Sequence, residues 1–162
     1  MSVHGKFTAQ ERRVFSGRQN VSAPPEAVFP LLCPVREYDW IPDWDCRLLY
    51  TESGVAEDGC VFQTDRPSDG GLDTWVVSRY EPPARIAFVR VNALRAMQYD
   101  IQLEPVGDGA TRLTWTQVVT ALCNDGNRHV RSLRDSDFAT SIAKMETLLN
   151  AYLDATPSEA GA

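Results

Sequence analysis

From Cys46 to Leu122 the chain reads as six short runs rich in β-branched and aromatic residues, and one long amphipathic segment follows them. The runs are "CRLLYTES", "CVFQTDR", "LDTWVVSRYE", "RIAFVRV", "AMQYDIQLEPV" and "TRLTWTQVVTAL". Between them lie "SGVAEDG", "PSDGG", "EPPA", "NAL" and "GDGA", all of turn-forming composition. Links this short join antiparallel neighbours, so the pattern predicts a meander. "ERRVFSGRQNV" alternates in part and predicts one more strand ahead of it.

Alternation picks out inward faces. Met97, Tyr99, Ile101 and Leu103 share one parity, as do Leu113, Trp115, Gln117 and Val119 in the last strand. Parity does not orient the strand around Thr74–Tyr80. Trp75, Val77 and Arg79 take one side, Thr74, Val76, Ser78 and Tyr80 the other, and both mix polar with apolar.

Two short helices are expected between the first strand and the meander. In "SAPPEAVFPLLC", Ser22 can cap, Pro24 and Pro25 suit a first turn, and Pro30 keeps the helix short. "VREYDW" suits a second short helix, ended before Pro42. After the strands, Val130, Leu133, Phe138, Ile142, Met145, Leu148, Leu149 and Tyr152 recur near helical spacing. Asp125 or Asn127 could begin that helix, which at 1.5 Å per residue would be roughly 30 Å long.

One helix cannot cover both faces of a seven-stranded sheet. The sheet must curl around it and leave its convex face wet. The expected fold is therefore α+β: a curved seven-stranded antiparallel sheet gripping a long C-terminal helix, with two short helices after the first strand. Such a sheet tends to leave a cavity against its helix, and mouths of curved sheets are common ligand sites.

The 162 residues fit one domain, expected over 8–154 with loose ends at 1–7 and 155–162. A net charge of -6 and scattered arginines speak against a nucleic-acid surface. No apolar stretch is long enough for a membrane span, and "MSVHGKFTAQERR" lacks the apolar core of a secretory signal, so a cytoplasmic location is expected. Cys33, Cys46, Cys60 and Cys123 have no close-spaced pairing, which favours buried free thiols over a structural metal. No nucleotide-binding glycine motif is present, and no Ser or Cys sits in a recognisable nucleophile motif. No cofactor is expected.

Three stretches carry a family resemblance. "VSAPPEAVFPLL" is similar to the opening of START-like (SRPBCC) proteins with the helix-grip fold. "TWVVSRYEPPARIAFVRV" resembles a hairpin of that superfamily, and "GDGATRLTWTQVVTAL" its last strand. The resemblance runs from about Glu11 to Leu153 and points to the polyketide cyclase/dehydrase-like branch. It implies the fold and a cavity for apolar or amphipathic ligands. It implies no catalytic motif, because the superfamily shares none.

In that fold "PVREYDWIPDWDCRLLY" would line the cavity mouth, with Tyr38, Trp40 and Trp44 as ligand contacts; the alternative is that the tryptophans cork the barrel end. Glu37 is the weak candidate for a general acid or base, since a carboxyl beside apolar rings titrates high. Glu37 and Asp39 cannot both face inward, and the alternative for either is a solvated helix face or a salt bridge to a nearby arginine. Phe62, Trp75, Phe88, Tyr99 and Trp115 from the strands, with Phe138, Ile142 and Met145 from the helix, are the expected lining. Gln117 is a polar exception whose partner would be a water, a ligand or Tyr99. Arg90 would meet an anionic ligand group or Glu37 if inward, or solvent at a strand end. His129, at the start of the helix, is a candidate base or a surface histidine.

Three functions stay open on this reading: a carrier or sensor of a small hydrophobic molecule, a cyclase- or dehydrase-like enzyme acting on one, and an interaction module with a filled core. The expected partner is a small apolar or amphipathic molecule. Neither nucleic acid nor an integral membrane segment is expected, and a homodimer is compatible with the sequence.

Overall fold

A computed structural model describes residues 9–156. Of the expected loose ends, 1–7 and 155–162, all but residues 155 and 156 lie outside that range, and Ala155 still belongs to the last helix. The seven strands are β1 (Arg12–Val21), β2 (Arg47–Tyr50), β3 (Val61–Arg66), β4 (Gly71–Glu81), β5 (Arg85–Val91), β6 (Arg95–Val106) and β7 (Ala110–Ala121). They form one sheet in the order β1-β7-β6-β5-β4-β3-β2, antiparallel throughout. The first strand therefore joins the last, and the short links of the meander place each remaining strand beside its predecessor.

The inward parity read from β6 and β7 is the buried one: Met97, Tyr99, Ile101, Leu103, Leu113, Trp115 and Val119 are all in the core. The mixed parity of β4 has a local cause. The register with β5 shifts between Val77 and Arg79. Asp73, Trp75 and Val77 point inward before the bulge. After it Tyr80 stands opposite Ile86 and packs its ring 5.4 Å from that of Phe29. One extra residue has moved the strand's second half to the other parity.

The segment after β1 forms a single turn, α1 (Pro25–Val28), that continues into a 3-10 turn over Phe29–Leu32. Ser22 does not cap it. Pro24 occupies the N-cap position, and the Ser22 amide donates instead to Asn150 Oδ1 at 2.9 Å. The second expected helix is a 3-10 turn of three residues, Glu37–Asp39.

The C-terminal helix is not continuous. It divides into α2 (Asn124–Ser132) and α3 (Asp135–Ala155), with Leu133 and Arg134 extended between them. Asp135 and Asp137 in the first turn of α3 complement its positive end, which favours a fresh start there. Arg13 of β1 pins the break: its Nη1 donates to the Leu133 carbonyl, and its Nη2 lies 3.7 Å from Asp135. The start of α2 is capped by Cys123, whose Sγ accepts from the Gly126 amide at 3.4 Å, and not by Asp125 or Asn127. Cys123 is therefore exposed and Cys46 half-buried, against the expectation of buried thiols, which Cys33 and Cys60 meet.

Two glycines let helices approach the sheet. A Cβ on Gly126 would fall 2.0 Å from the Leu94 carbonyl oxygen, so α2 abuts the β5–β6 turn only with glycine there. A Cβ on Gly17 would press on Phe138 and Ile142 at 3.2 and 3.3 Å, where α3 crosses β1. Among the described residues no helix is long and apolar enough to cross a membrane.

Candidate functional site

Between the concave face of the sheet and α3 lies a cavity of about 470 Å³. Its floor is a run of touching rings, one from each successive strand. Phe62 of β3 stacks on Trp75 of β4 at 5.2 Å, Trp75 meets Phe88 of β5 edge-on at 5.6 Å, and Tyr99 of β6 meets Trp115 of β7 at 5.5 Å. Strand spacing near 5 Å sets this repeat, because inward side chains in register stand side by side. Phe138, Ile142 and Met145 of α3 form the opposite wall. Of the lining expected from sequence, all these residues, together with Trp44, Arg90 and Gln117, border the cavity.

Tyr38 and Trp40 do not. Tyr38 is half exposed, and its hydroxyl accepts from the Cys46 amide at 2.9 Å while lying 3.2 Å from Asp45 Oδ1. Trp40 is buried outside the cavity and donates its Nε1–H to the Leu31 carbonyl at 2.7 Å, so it corks the end of the fold. The reason is the tight turn between them. Successive side chains of a 3-10 turn diverge by about 120°, so one residue of Glu37–Asp39 can face the cavity. That residue is Glu37. Asp39 turns outward and accepts from Arg36 Nε at 2.8 Å. Trp44 returns to the mouth, its Nε1–H donating to the Pro34 carbonyl at 2.8 Å.

Glu37 is the most perturbed acid of the cavity. Burial among the rings pushes its carboxyl up to about 8, even though Arg66 and Arg90 pull the other way. Neither arginine lies within ion-pair distance of it. A large fraction of Glu37 is therefore protonated near neutral pH. Burial also pushes the Tyr99 phenol up, so it remains a hydrogen-bond donor. Gln117 stands opposite Tyr99 in the β6–β7 ladder and favours the ionised phenol. That opposition accounts for the polar exception in an apolar row.

Arg90 meets neither Glu37 nor solvent. It belongs to a largely buried set of charges beside Trp75 of the aromatic floor, of which Arg90 and Asp69 themselves border the cavity. Its Nε donates to Asp73 Oδ2 at 2.9 Å and its Nη2 to Asp69 Oδ2 at 3.0 Å, while its guanidinium lies 3.9 Å above the Trp75 ring centre. Arg95, with no exposed surface, donates to Asp73 Oδ1 at 2.9 Å and Oδ2 at 2.6 Å, and to Asp69 Oδ2 at 2.7 Å. Burial alone would raise the Asp73 carboxyl; Arg95 and Arg90 reverse that and hold it below its ordinary value. His129 of α2 is not a surface histidine. Its Nε2 stands 3.3 Å from Asp69 Oδ1, with the side chain largely covered.

Asp69, Asp73 and Arg95 did not emerge from the sequence pattern. Their signal was present in the parity: Asp73 shares a face with Trp75, and Arg95 with Met97. Gln19 was missed too. It is wholly buried, accepts from Trp115 Nε1 at 2.8 Å, and donates its Nε2–H to the Ile142 carbonyl at 2.8 Å, tying floor to helix. Among the described residues no group of three or more His, Cys, Asp or Glu side chains converges as metal ligands would.

The family model described as polyketide cyclase / dehydrase and lipid transport matches residues 12–149. No curated protein matches the chain. Solved structures share its fold. The Zhui aromatase/cyclase from Streptomyces sp. R1128 superposes with a TM-score of 0.65 at 14% identity, covering 94% of this chain and 100% of that one. The Mll3558 protein from Rhizobium loti gives 0.64 at 17% identity, over 90% of this chain and 100% of that one. CalU16 from Micromonospora echinospora gives 0.58 at 17% identity, over 94% and 89%.

Proposed function

This chain belongs to the polyketide cyclase/dehydrase and lipid transport family, and from that premise we propose that it binds a small apolar or amphipathic molecule between its sheet and α3. The family's description spans catalysis and transport, so membership does not choose between them. The observation that carries the reading is the cavity of about 470 Å³ bounded by a continuous run of aromatic rings. That volume is within the roughly 300–1,000 Å³ of ordinary ligand pockets. A protein whose role was only to present an outer surface would have no need of this interior space. Native mass spectrometry of the purified protein, followed by solvent extraction, tests the proposal. A stoichiometric apolar passenger, or saturable uptake of 2-naphthylethanol by the empty protein, is expected. Absence of both overturns it.

One observation favours a second reading, catalysis on the bound molecule. Glu37 is an unpaired acid at the cavity wall whose carboxyl is raised to about 8. Such a group can give a proton to a substrate carbonyl oxygen and take one from the carbon beside it. Tyr99 would hold the same oxygen by hydrogen bonding. Under this reading a linear poly-β-keto thioester incubated with the protein loses water, as followed by mass spectrometry, and Glu37→Gln abolishes the loss. Equal rates with and without Glu37 remove it from any mechanism.

A further inference from the structure

The polar groups of the cavity divide into two zones with different balances of charge. In the interior, Arg90 and Arg95 face Asp69 and Asp73, two cations against two anions, each joined by hydrogen bonds. An anionic group carried to the floor would find no spare positive charge there. The rim differs. Arg66 at the end of β3, Arg134 at the break between α2 and α3, and Lys144 of α3 all border the cavity and are exposed. Among the described residues none of these three is in an ion pair. Asp137 is the one exposed acid among the lining residues. The chain as a whole carries -6, so this excess of cations is local and opposite in sign to the molecule. A cleft lined by one sign of charge concentrates the field and draws in the opposite ion.

We infer that the ligand is an amphipathic acid, bound with its ring or chain against the aromatic floor and its carboxylate at the rim among Arg66, Arg134 and Lys144. This rests on the cavity being a binding site. The orientation follows from the two zones: apolar surface gains most among Phe88, Tyr99 and Trp115, and a carboxylate gains most where cations are unpaired and water still reaches them.

Isothermal titration at neutral pH and low salt with three probes of one shape tests it: 2-naphthylacetate, 2-naphthylethanol and 2-naphthylethylamine. The acid is expected to bind about tenfold more tightly than the alcohol, from the attraction of exposed cations of ordinary strength at the rim, and the amine more weakly than both. Raising the salt to 0.5 M should erase most of that preference. The variant R66A/R134A/K144A should bind acid and alcohol alike while keeping the wild-type affinity for the alcohol, which also shows that it is folded. Equal binding of acid and alcohol by the wild type, tighter binding of the amine, or a preference that survives in the triple variant would each overturn the inference. Alcohol binding without acid preference refutes this inference alone. Failure of all three probes refutes the binding site and the inference with it.

Discussion

Asp73→Asn examines how the wall beside the aromatic floor is held. Asp73 is 1% exposed and Arg95 is 0% exposed, so the pair is removed from water. The carboxylate receives four donors, two from each arginine. Asparagine keeps the shape but removes the charge and offers its single oxygen as acceptor, leaving two buried guanidinium groups to share Asp69. Breaking a buried pair from one side costs about 3–5 kcal/mol, because a charge is left without its counterpart. Asp69→Asn should cost less, about 1–2 kcal/mol, since each arginine keeps Asp73 and the Asp69 side chain is 30% exposed. Urea unfolding followed by tryptophan fluorescence reads both values. The gap between wild type and Asp73→Asn should also narrow in acid. Asp73 titrates below its ordinary value in the folded protein, so its stabilisation is present above the unfolded value and disappears as pH falls through the folded one. A loss below about 1 kcal/mol for Asp73→Asn at neutral pH, or a larger loss for Asp69→Asn, would refute the account of the cluster as a mutually neutralised set.

Glu37 should make the opposite pH signature. Its folded value of about 8 lies above its ordinary 4.5, so its favourable contribution is full below the unfolded value and is lost as pH rises to about 8. Glu37→Gln should therefore gain stability over the wild type between pH 5 and pH 9, by at most roughly 4–5 kcal/mol, and a gap that does not change with pH would show Glu37 to be solvated. Trp115→Phe keeps a ring in the floor but removes the donor to Gln19. A loss of about 1–3 kcal/mol on urea unfolding is expected from the orphaned buried acceptor, and no loss would mean that Gln19 finds another partner. Gly126→Ala should destabilise by about 1–3 kcal/mol, because the new Cβ would meet the Leu94 carbonyl at 2.0 Å and α2 must shift; an unchanged midpoint would contradict that packing.

The features legible in the sequence are those carried by one strand or one helix at a time. The alternation of Met97, Tyr99, Ile101 and Leu103 fixed a buried face, and short turns fixed which strands are neighbours. The bulge at Val77–Arg79 has no such signature, since an extra residue there looks like a change of polarity pattern. The break at Leu133 was hidden because Val130, Leu133 and Phe138 keep a near-helical spacing across it. Its signal was the acids Asp135 and Asp137, which suit a helix start better than a helix middle.

The charged cluster was hidden for a different reason, and the reason bears on function. Taken singly, Asp73 and Arg95 each read as a residue for the surface, because a lone charge is rarely buried, and Arg90 stays open between an inward partner and solvent. Only the register pairs them: Trp75 stands opposite Arg90, and Arg90 opposite Met97, which brings the inward ends of β4, β5 and β6 together. Once paired, these charges cancel and hold one another, so Arg90 has little net charge to offer a ligand despite lining the cavity. Among the described residues bordering the cavity, the charged groups outside any ion pair are Glu37 on the wall, Asp137, and the cations Arg66, Arg134 and Lys144 at the rim, and the proposed recognition of an acid rests on that excess of cations. The three cations lie on different elements, and no local pattern gathers them. A core can be read from periodicity within an element, whereas a binding site depends on which charges the assembled fold leaves without partners.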